Sequence, residues 1–367
     1  MPPLSLRARW VLPVAGPAIE GGWVTVHEDR IVSVGTKRPS GTCRDLGNVA
    51  LLPGLVNAHT HLDLSNIAGP LGRPGMRLVD WLGEIVQHRL VHPPTPAAVE
   101  KGLRESSRLG TTTLADIAQD TPSDETTESA GPEVFSFLEL IAPTTDRVGQ
   151  QIERAEKHLA ASDGAKSWRP GLSPHAPYSV HPDLLVRAVA LSAEHHVPLA
   201  MHLAESPEEL ELIRHGRGPF RELLKRLGAW DADAFPVGLS VLDTLRTLAG
   251  AHRALVIHGN YLGEEDIALL ADQSDRMAVV YCPRTHAFFA HDPYPLEKLL
   301  AAGVVVALGT DSRASSPDLD VLAEMREVHR RHPGIGPEVI VRLATAGGAT
   351  ALGQHHRWGT IEPGRRA

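Results

Sequence analysis

From Leu51 onward, short apolar segments rich in β-branched residues alternate with longer amphipathic stretches, and this alternation restricts the chain to α/β architectures. The apolar run Leu51 to Val56 leads into the first segment, which ends at His61. Later segments run over 111–116, 134–141, 170–173, 198–202, 254–258, 277–282 and 304–308. Between them lie helical signals. Thr95-Pro96 supplies a cap and a first-turn proline, and Gly110 supplies a stop. Residues 147–161 and 183–196 carry helical patterns. Eight strands mostly followed by helices, over about 250 residues, predict a (β/α)8 barrel. The rival doubly wound sheet would use a Gly-rich turn after its first strand, and no G-x-G-x-x-G follows here. The first 50 residues differ. Trp10–Val14, Gly22–Val26 and Arg30–Val34 are short alternating segments separated by turn residues, which predicts a small antiparallel unit. The Pro/Ser/Thr/Glu-rich piece from Asp120 to Pro132 reads as a surface loop.

Barrel active sites lie at the C-terminal ends of the strands. With 20 histidines in the chain, that rule is the filter that separates candidates from surface residues. His59 and His61 stand two apart on the first strand, so their side chains share a face and can bind one cation from one side. His202 ends the fifth strand and His258 the sixth, His175 follows the fourth, and Asp311 follows the eighth. Three imidazoles and a carboxylate suit one divalent ion, Zn²⁺ by preference and Fe²⁺ as the alternative. Glu205 sits three residues beyond His202, in a loop pinned by Ser206, Pro207 and Glu209 as N-cap, first-turn proline and capping-box partner. A carboxylate there can take a proton from an activated water and pass it to a leaving group. Outside the cation setting, Glu205 would be a solvated loop acid, His258 a core histidine and Asp311 a helix cap. Asp116 reads as structural, and Cys282 as buried with no base to activate it.

The balance of charges, −8 with 22% charged residues, holds no basic block for nucleic acid or an anionic membrane. Cys43 and Cys282 form no Cys-x-x-Cys pair and no disulfide framework, the N-terminus lacks a signal peptide's apolar core, and no apolar run would span a bilayer. These features predict a cytoplasmic protein with a small-molecule substrate, with a homodimer as the assembly to test for.

Taken together, the motifs Leu52-Pro53-Gly54-Leu55-Val56-Asn57-Ala58-His59-Thr60-His61, His202-Leu203-Ala204-Glu205, His258 and Gly309-Thr310-Asp311-Ser312 resemble those of the amidohydrolase superfamily, in its metal-dependent deaminase/chlorohydrolase branch. The resemblance covers almost the whole chain. It implies that His59, His61, His202 and Asp311 hold the metal, that Glu205, His258 and Asp311 act on the water and the leaving group, and that His175 binds substrate. It also implies a small β-sandwich built from residues 1–50 together with 356–367, beside a barrel over 51–355. Two-metal members carry a bridging lysine at the end of strand four. Here that strand ends in Leu172-Ser173-Pro174-His175 with Lys166 upstream, so one metal is expected.

Within the branch, His59-Thr60-His61-Leu62-Asp63-Leu64-Ser65, Asp80-Trp81-Leu82, Cys282-Pro283-Arg284 and Asp311-Ser312-Arg313-Ala314-Ser315 are similar to 6-aminodeoxyfutalosine deaminases and their adenosylhomocysteine/methylthioadenosine-deaminating relatives. His286 departs from the asparagine usual there, and the chain ends at Ala367 where the family continues into strands of the sandwich. The implied activity is hydrolytic deamination of an aminopurine nucleoside. Dechlorination or deamination of a triazine-like ring uses the same chemistry, and a catalytically inactive binding barrel is the reading from another class. The segment from Asp63 to Leu90 is long for a βα connection, and long connections are usually functional. Trp81, Ile85 and His88 or Arg89 recur in it at helical spacing. That spacing predicts a short helix which either packs on the barrel or caps the pocket, with Trp81, His88 and Arg89 as substrate contacts.

Overall fold

The computed structural model describes residues 2–128, 131–162, 164–165, 167–231 and 238–367. Seven short strands come first: β1 (Leu4–Arg7), β2 (Trp10–Val11), β3 (Ile19–Glu20), β4 (Trp23–His27), β5 (Arg30–Gly35), β6 (Thr42–Asp45) and β7 (Ala50–Leu51). They form a four-stranded sheet in the order β5-β4-β1-β6 and a three-stranded sheet in the order β3-β2-β7. The expected antiparallel unit is corrected to a mixed one, because β1 runs parallel to β6 and β2 parallel to β7. Those pairings close over long stretches of chain, and strands of two to four residues are too short to show alternation in the sequence. The last residues join this unit. Arg366 bridges to Arg30, the Ile361 N–H donates to the Pro13 carbonyl, and Ile361 packs with Ala8, Val11, Val24 and Ile31.

Eight parallel strands follow in sequential order: β8 (Leu55–Thr60), β9 (Thr111–Ala118), β10 (Glu133–Leu140), β11 (Trp168–Pro174), β12 (Pro198–Leu203), β13 (Arg253–His258), β14 (Met277–Tyr281) and β15 (Val305–Leu308). A parallel bridge between Thr60 and Asp311 brings the last strand back to the first, which nearly closes the barrel. One apolar cluster takes Phe135, Phe137, Ala200, Leu255, Ile257 and Ala278 from neighbouring strands and fills the interior. A larger cluster joins the outer strand faces to the surrounding helices.

Two helices belong to the connection after β8 and its sequel. A 14-residue α1 (Leu78–Val91) replaces the short helix expected there. After it, α2 (Pro96–Arg108) begins as expected, with the Thr95 hydroxyl accepting from the Ala98 N–H. The piece expected as a loop over Asp120–Pro132 contains a five-residue helix, Asp124–Glu128, too short to leave a periodic signal. Lys166 lies outside the described residues. No helix among the described residues is long and apolar enough to cross a membrane.

Candidate active site

Hydrogen bonds between β8 and the segment after β15 place the first functional groups. The Asn57 amide donates to the Thr310 hydroxyl (2.8 Å), and its carbonyl oxygen accepts from the Thr310 N–H (3.1 Å). The His59 carbonyl accepts from the N–H groups of Thr310 and Asp311, and the Thr60 hydroxyl donates to the Asp311 carbonyl at 2.9 Å. This approach needs a residue without a side chain at position 309, since a Cβ there would lie 2.8 Å from the His59 Cβ. Asp311 (φ 55°), His258 (φ 68°) and Ala204 (φ 54°) hold left-handed backbone conformations that non-glycine residues rarely adopt, and all three stand at strand ends facing the same mouth.

His59, His61 and Asp311 present donor atoms all within 4.8 Å of one another, and so do His59, His202 and His258. Asp311 Oδ1 is 3.5 Å from His59 Nε2 and 3.6 Å from His61 Nε2, too long for good hydrogen bonds. Its Oδ2 accepts from the Ser315 hydroxyl at 2.8 Å. His202 Nδ1 donates to the His175 carbonyl at 2.9 Å, which leaves Nε2 with the lone pair. Both ring nitrogens of His59 and Nδ1 of His61 are buried without a hydrogen-bond partner among the described residues. Buried polar atoms are normally satisfied. Burial lowers the pKa of His61 and of His258 to about 3 and that of His202 well below the ordinary value, so these rings present neutral lone pairs. Burial pushes the Asp311 carboxyl up, but the surrounding imidazoles, His59 first, bring it well below the ordinary carboxylate range overall. Orphaned imidazole nitrogens around an ionised carboxylate fit a divalent cation.

Glu205 lies on the far side of this cluster, buried, with Oε1 3.4 Å from His258 Nε2. Burial first, then the nearby Asp311 and Glu209 carboxylates, push its pKa well above the usual range. Its backbone is fixed by Glu209, where the expected capping box is corrected. The Ser206 hydroxyl does accept from the Glu209 N–H, but the Glu209 carboxylate passes over the cap and accepts from the N–H groups of Ala204 (2.9 Å) and Glu205 (2.8 Å). The left-handed turn at Ala204 aims both amides at it. The Asn260 amide donates to the Glu205 carbonyl at 2.9 Å, and the Tyr294 hydroxyl to the His258 carbonyl at 2.9 Å.

A second polar group faces the cluster from strands one, three and four. His175 Nδ1 is 2.6 Å from the Ser179 hydroxyl, and its Nε2 is 3.8 Å from Glu139 Oε1. Arg89, near the end of α1, lies 2.9 Å from Asp63 and 3.8 Å from Glu139. Gln119 donates to Glu139 at 2.6 Å. Burial raises the Glu139 pKa, but His175, Arg89 and His61 pull it below the ordinary value overall. Glu139 and Asp63 are not among the site residues that the sequence predicts, although Asp63 stands in the motif after His61. Glu139 had a usable signal, a lone acid near the C-terminal end of the apolar run Val134-Phe135-Ser136-Phe137-Leu138.

The remaining expected contacts separate. Trp81 is buried, donates from its indole to the Ala314 carbonyl (3.2 Å) and meets Phe289 edge-on, so it roofs the mouth as packing. His88 stacks on His92 and is not brought to the histidine cluster. Asp116 accepts from the Leu62 N–H (2.8 Å), fixing the chain just after His61, and burial pushes it to about 8. Burial raises the Cys282 thiol well above its ordinary value, which leaves it a poor nucleophile. His286, the residue in place of asparagine, is buried and donates from Nε2 to the Asp292 carbonyl (2.9 Å). A cavity of about 700 Å³ opens elsewhere, between the small sheets and the strand beginnings, lined by Leu6, Val24, Pro53, Trp358 and Ile361. It holds none of these groups and lies at the end of the barrel where active sites do not form.

Residues 50–367 match the sequence profile of the amidohydrolase family. The chain is 32% identical to 5-methylthioadenosine/S-adenosylhomocysteine deaminase of Moorella thermoacetica, over 97% of this chain and 82% of that protein. The crystal structure of an adenosine deaminase from Xanthomonas campestris with bound zinc superposes with a TM-score of 0.76 at 25% identity, covering 99% of this chain and 83% of that one. Aminofutalosine deaminase of Helicobacter pylori, solved with methylthio-coformycin, superposes with a TM-score of 0.86 at 22% identity, covering 99% and 90%, which shows a shared fold.

Proposed function

The chain belongs to the amidohydrolase family, and from that premise we propose that it is a metal-dependent hydrolase that removes the 6-amino group of an adenine-type nucleoside as ammonia. One observation carries the reading: a buried carboxyl group, Glu205, faces His258 at 3.4 Å beside a cluster of imidazoles and a carboxylate that fits a single divalent cation. His59, His61, His202 and Asp311 would hold that ion, with Zn²⁺ the preferred occupant because nitrogen-rich tetrahedral sites suit it. When bound, such an ion supplies Lewis acidity that brings the pKa of water to about 7 in favourable sites.

The chain's own residues do the rest. Glu205 takes a proton from water as its oxygen adds to C6 of the purine, and delivers it to the adjacent ring nitrogen. A second transfer through Glu205 protonates the amino group, the C–N bond breaks, and ammonia leaves with a carbonyl formed at C6. Burial raises the pKa of Glu205, which suits a carboxyl that must both take and return a proton. His258 and Asp311 hold the water and the developing charge, and the Tyr294 and Ser315 hydrogen bonds keep the two aligned. The buried walls exclude bulk water from the reacting carbon. His175 and Arg89 contact the remainder of the nucleoside.

The test is ammonia release by zinc-reconstituted protein from adenosine, 5′-methylthioadenosine, S-adenosylhomocysteine and 6-aminodeoxyfutalosine, with a chlorotriazine as the contrasting ring. The expected result is turnover of at least one nucleoside and none of the triazine. Turnover of the triazine alone would replace the reading by dechlorination. A metal-loaded protein inert on every ring would replace it by a binding role.

A further inference from the structure

Glu205 and His258 lie at the ends of strands five and six, so the reacting ring carbon belongs there. The rest of a bound nucleoside then extends toward strands one, three and four, where the residues present have a distinctive balance of charge. Arg89 is the cation of that wall, and it already faces two carboxylates, Asp63 at 2.9 Å and Glu139 at 3.8 Å. The two acids are almost wholly buried, with side chains 5% and 2% exposed. Other arginines near the mouth are engaged in the same way. Arg313 binds Glu105 and the Ile67 and Ala68 carbonyls, and Arg284 binds Asp318 and Glu324.

A second observation points to a ligand. Both carboxylate oxygens of Asp63 and Nε of Arg89 lack a hydrogen-bond partner among the described residues, although they are buried. The Arg89 guanidinium pairs with one Asp63 oxygen at 2.9 Å, which leaves the carboxylate with lone pairs to spare. A buried carboxylate with free lone pairs calls for O–H or N–H donors. It does not suit a second carboxylate, which would meet like charge and compete for a guanidinium already held.

We propose that Asp63 and Glu139, holding Arg89 between them, form an acidic subsite that accepts hydrogen bonds from sugar hydroxyls and selects aminopurine nucleosides with uncharged 5′ substituents over those carrying a carboxylate. The proposal rests on the nucleoside reading above. It makes Arg89 part of the selection against anions.

The experiment measures binding without turnover. Zinc-loaded Glu205→Gln protein is titrated calorimetrically with 5′-methylthioadenosine and with 5′-(carboxymethylthio)adenosine, which differ in one carboxylate. The carboxylate compound is expected to bind at least ~10-fold more weakly. Adding Glu139→Gln removes one of the two carboxylates that neutralise Arg89 and should bring the ratio to within about threefold. Asp63→Asn is the second variant should the first not fold. Equal or tighter binding of the carboxylate compound overturns the subsite and leaves the deaminase reading standing. So does an unchanged ratio in a variant that still binds 5′-methylthioadenosine. If neither compound binds and the nucleoside panel shows no turnover, the nucleoside reading falls and the subsite with it.

Discussion

The two ends of the barrel solve opposite problems. At the base, residues 361–366 close against the small sheets, with Ile361 among Ala8, Val11, Val24 and Ile31, and the backbone groups of Ile31, Ile361 and Gly364 are paired. That end is held by apolar contact and backbone hydrogen bonds. At the mouth, orphaned imidazole nitrogens, an unpartnered buried carboxylate and non-glycine residues in left-handed backbone crowd together. Each of these features is costly in a folded protein. Left-handed residues also occur at Val14 and Glu28 among the small sheets, but at the mouth three of them coincide with orphaned imidazole nitrogens, and this coincidence implies that substitutions at the two ends should separate into different measurements.

The sharpest break in the comparison is Glu205→Gln. The amide preserves shape but cannot carry a proton, so turnover should fall by about 10²–10⁴-fold. Bound zinc, read by elemental analysis, should stay at the wild-type ratio, because Glu205 is not among the proposed ligands. A metal-loaded variant with near-normal turnover would assign the proton transfer to another group.

This contrast also explains what could be read without coordinates. The barrel and its mouth were legible, because parallel strands buried on both faces leave continuous apolar runs and because active sites lie at their C-terminal ends. His59, His61, His202, His258 and Asp311 all follow from that one rule. Glu139 obeys it too, but a single acid at a strand end carries no ligand spacing to set it apart from an ordinary surface carboxylate. Other features lie beyond sequence patterns. The Thr60–Asp311 closure and the Asn57–Thr310 pair join residues about 250 positions apart. Glu209 looks like an ordinary capping residue, and only the left-handed turn at Ala204 sends its carboxylate to the loop that carries Glu205. The small sheets are legible only in part: β4 and β5 follow from the alternation of Gly22–Val26 and Arg30–Val34, whereas β3 and β7 have two residues each and leave no pattern.

Next in size is a change one bond removed from the proposed ligand set. The Ser315 hydroxyl donates to Asp311 Oδ2 at 2.8 Å and orients the carboxylate whose other oxygen faces His59 and His61. Ser315→Ala should weaken zinc affinity by about 10–100-fold, as loss of an outer hydrogen bond to a ligand typically does. Competition against a chromophoric chelator measures this. At saturating zinc, turnover should recover substantially. A variant with wild-type zinc affinity would show that the β8 contacts alone orient Asp311.

The smallest expected effect sharpens the comparison from the other end. Ile361→Val removes one methylene from a buried side chain in the cluster that ties the chain end to the small sheets. Such a deletion costs about 0.5–1.5 kcal/mol, the lost transfer energy plus a small cavity. Urea unfolding should show a lower midpoint with an unchanged slope. Zinc affinity and kcat/KM should stay within about twofold of wild type, since distant sites that share no partner act nearly independently. A larger change in either would mean that packing at the base sets the geometry of the mouth. The division of labour between the two ends would then be wrong, and the strained turns at Ala204, His258 and Asp311 would be held in part from the far end of the barrel.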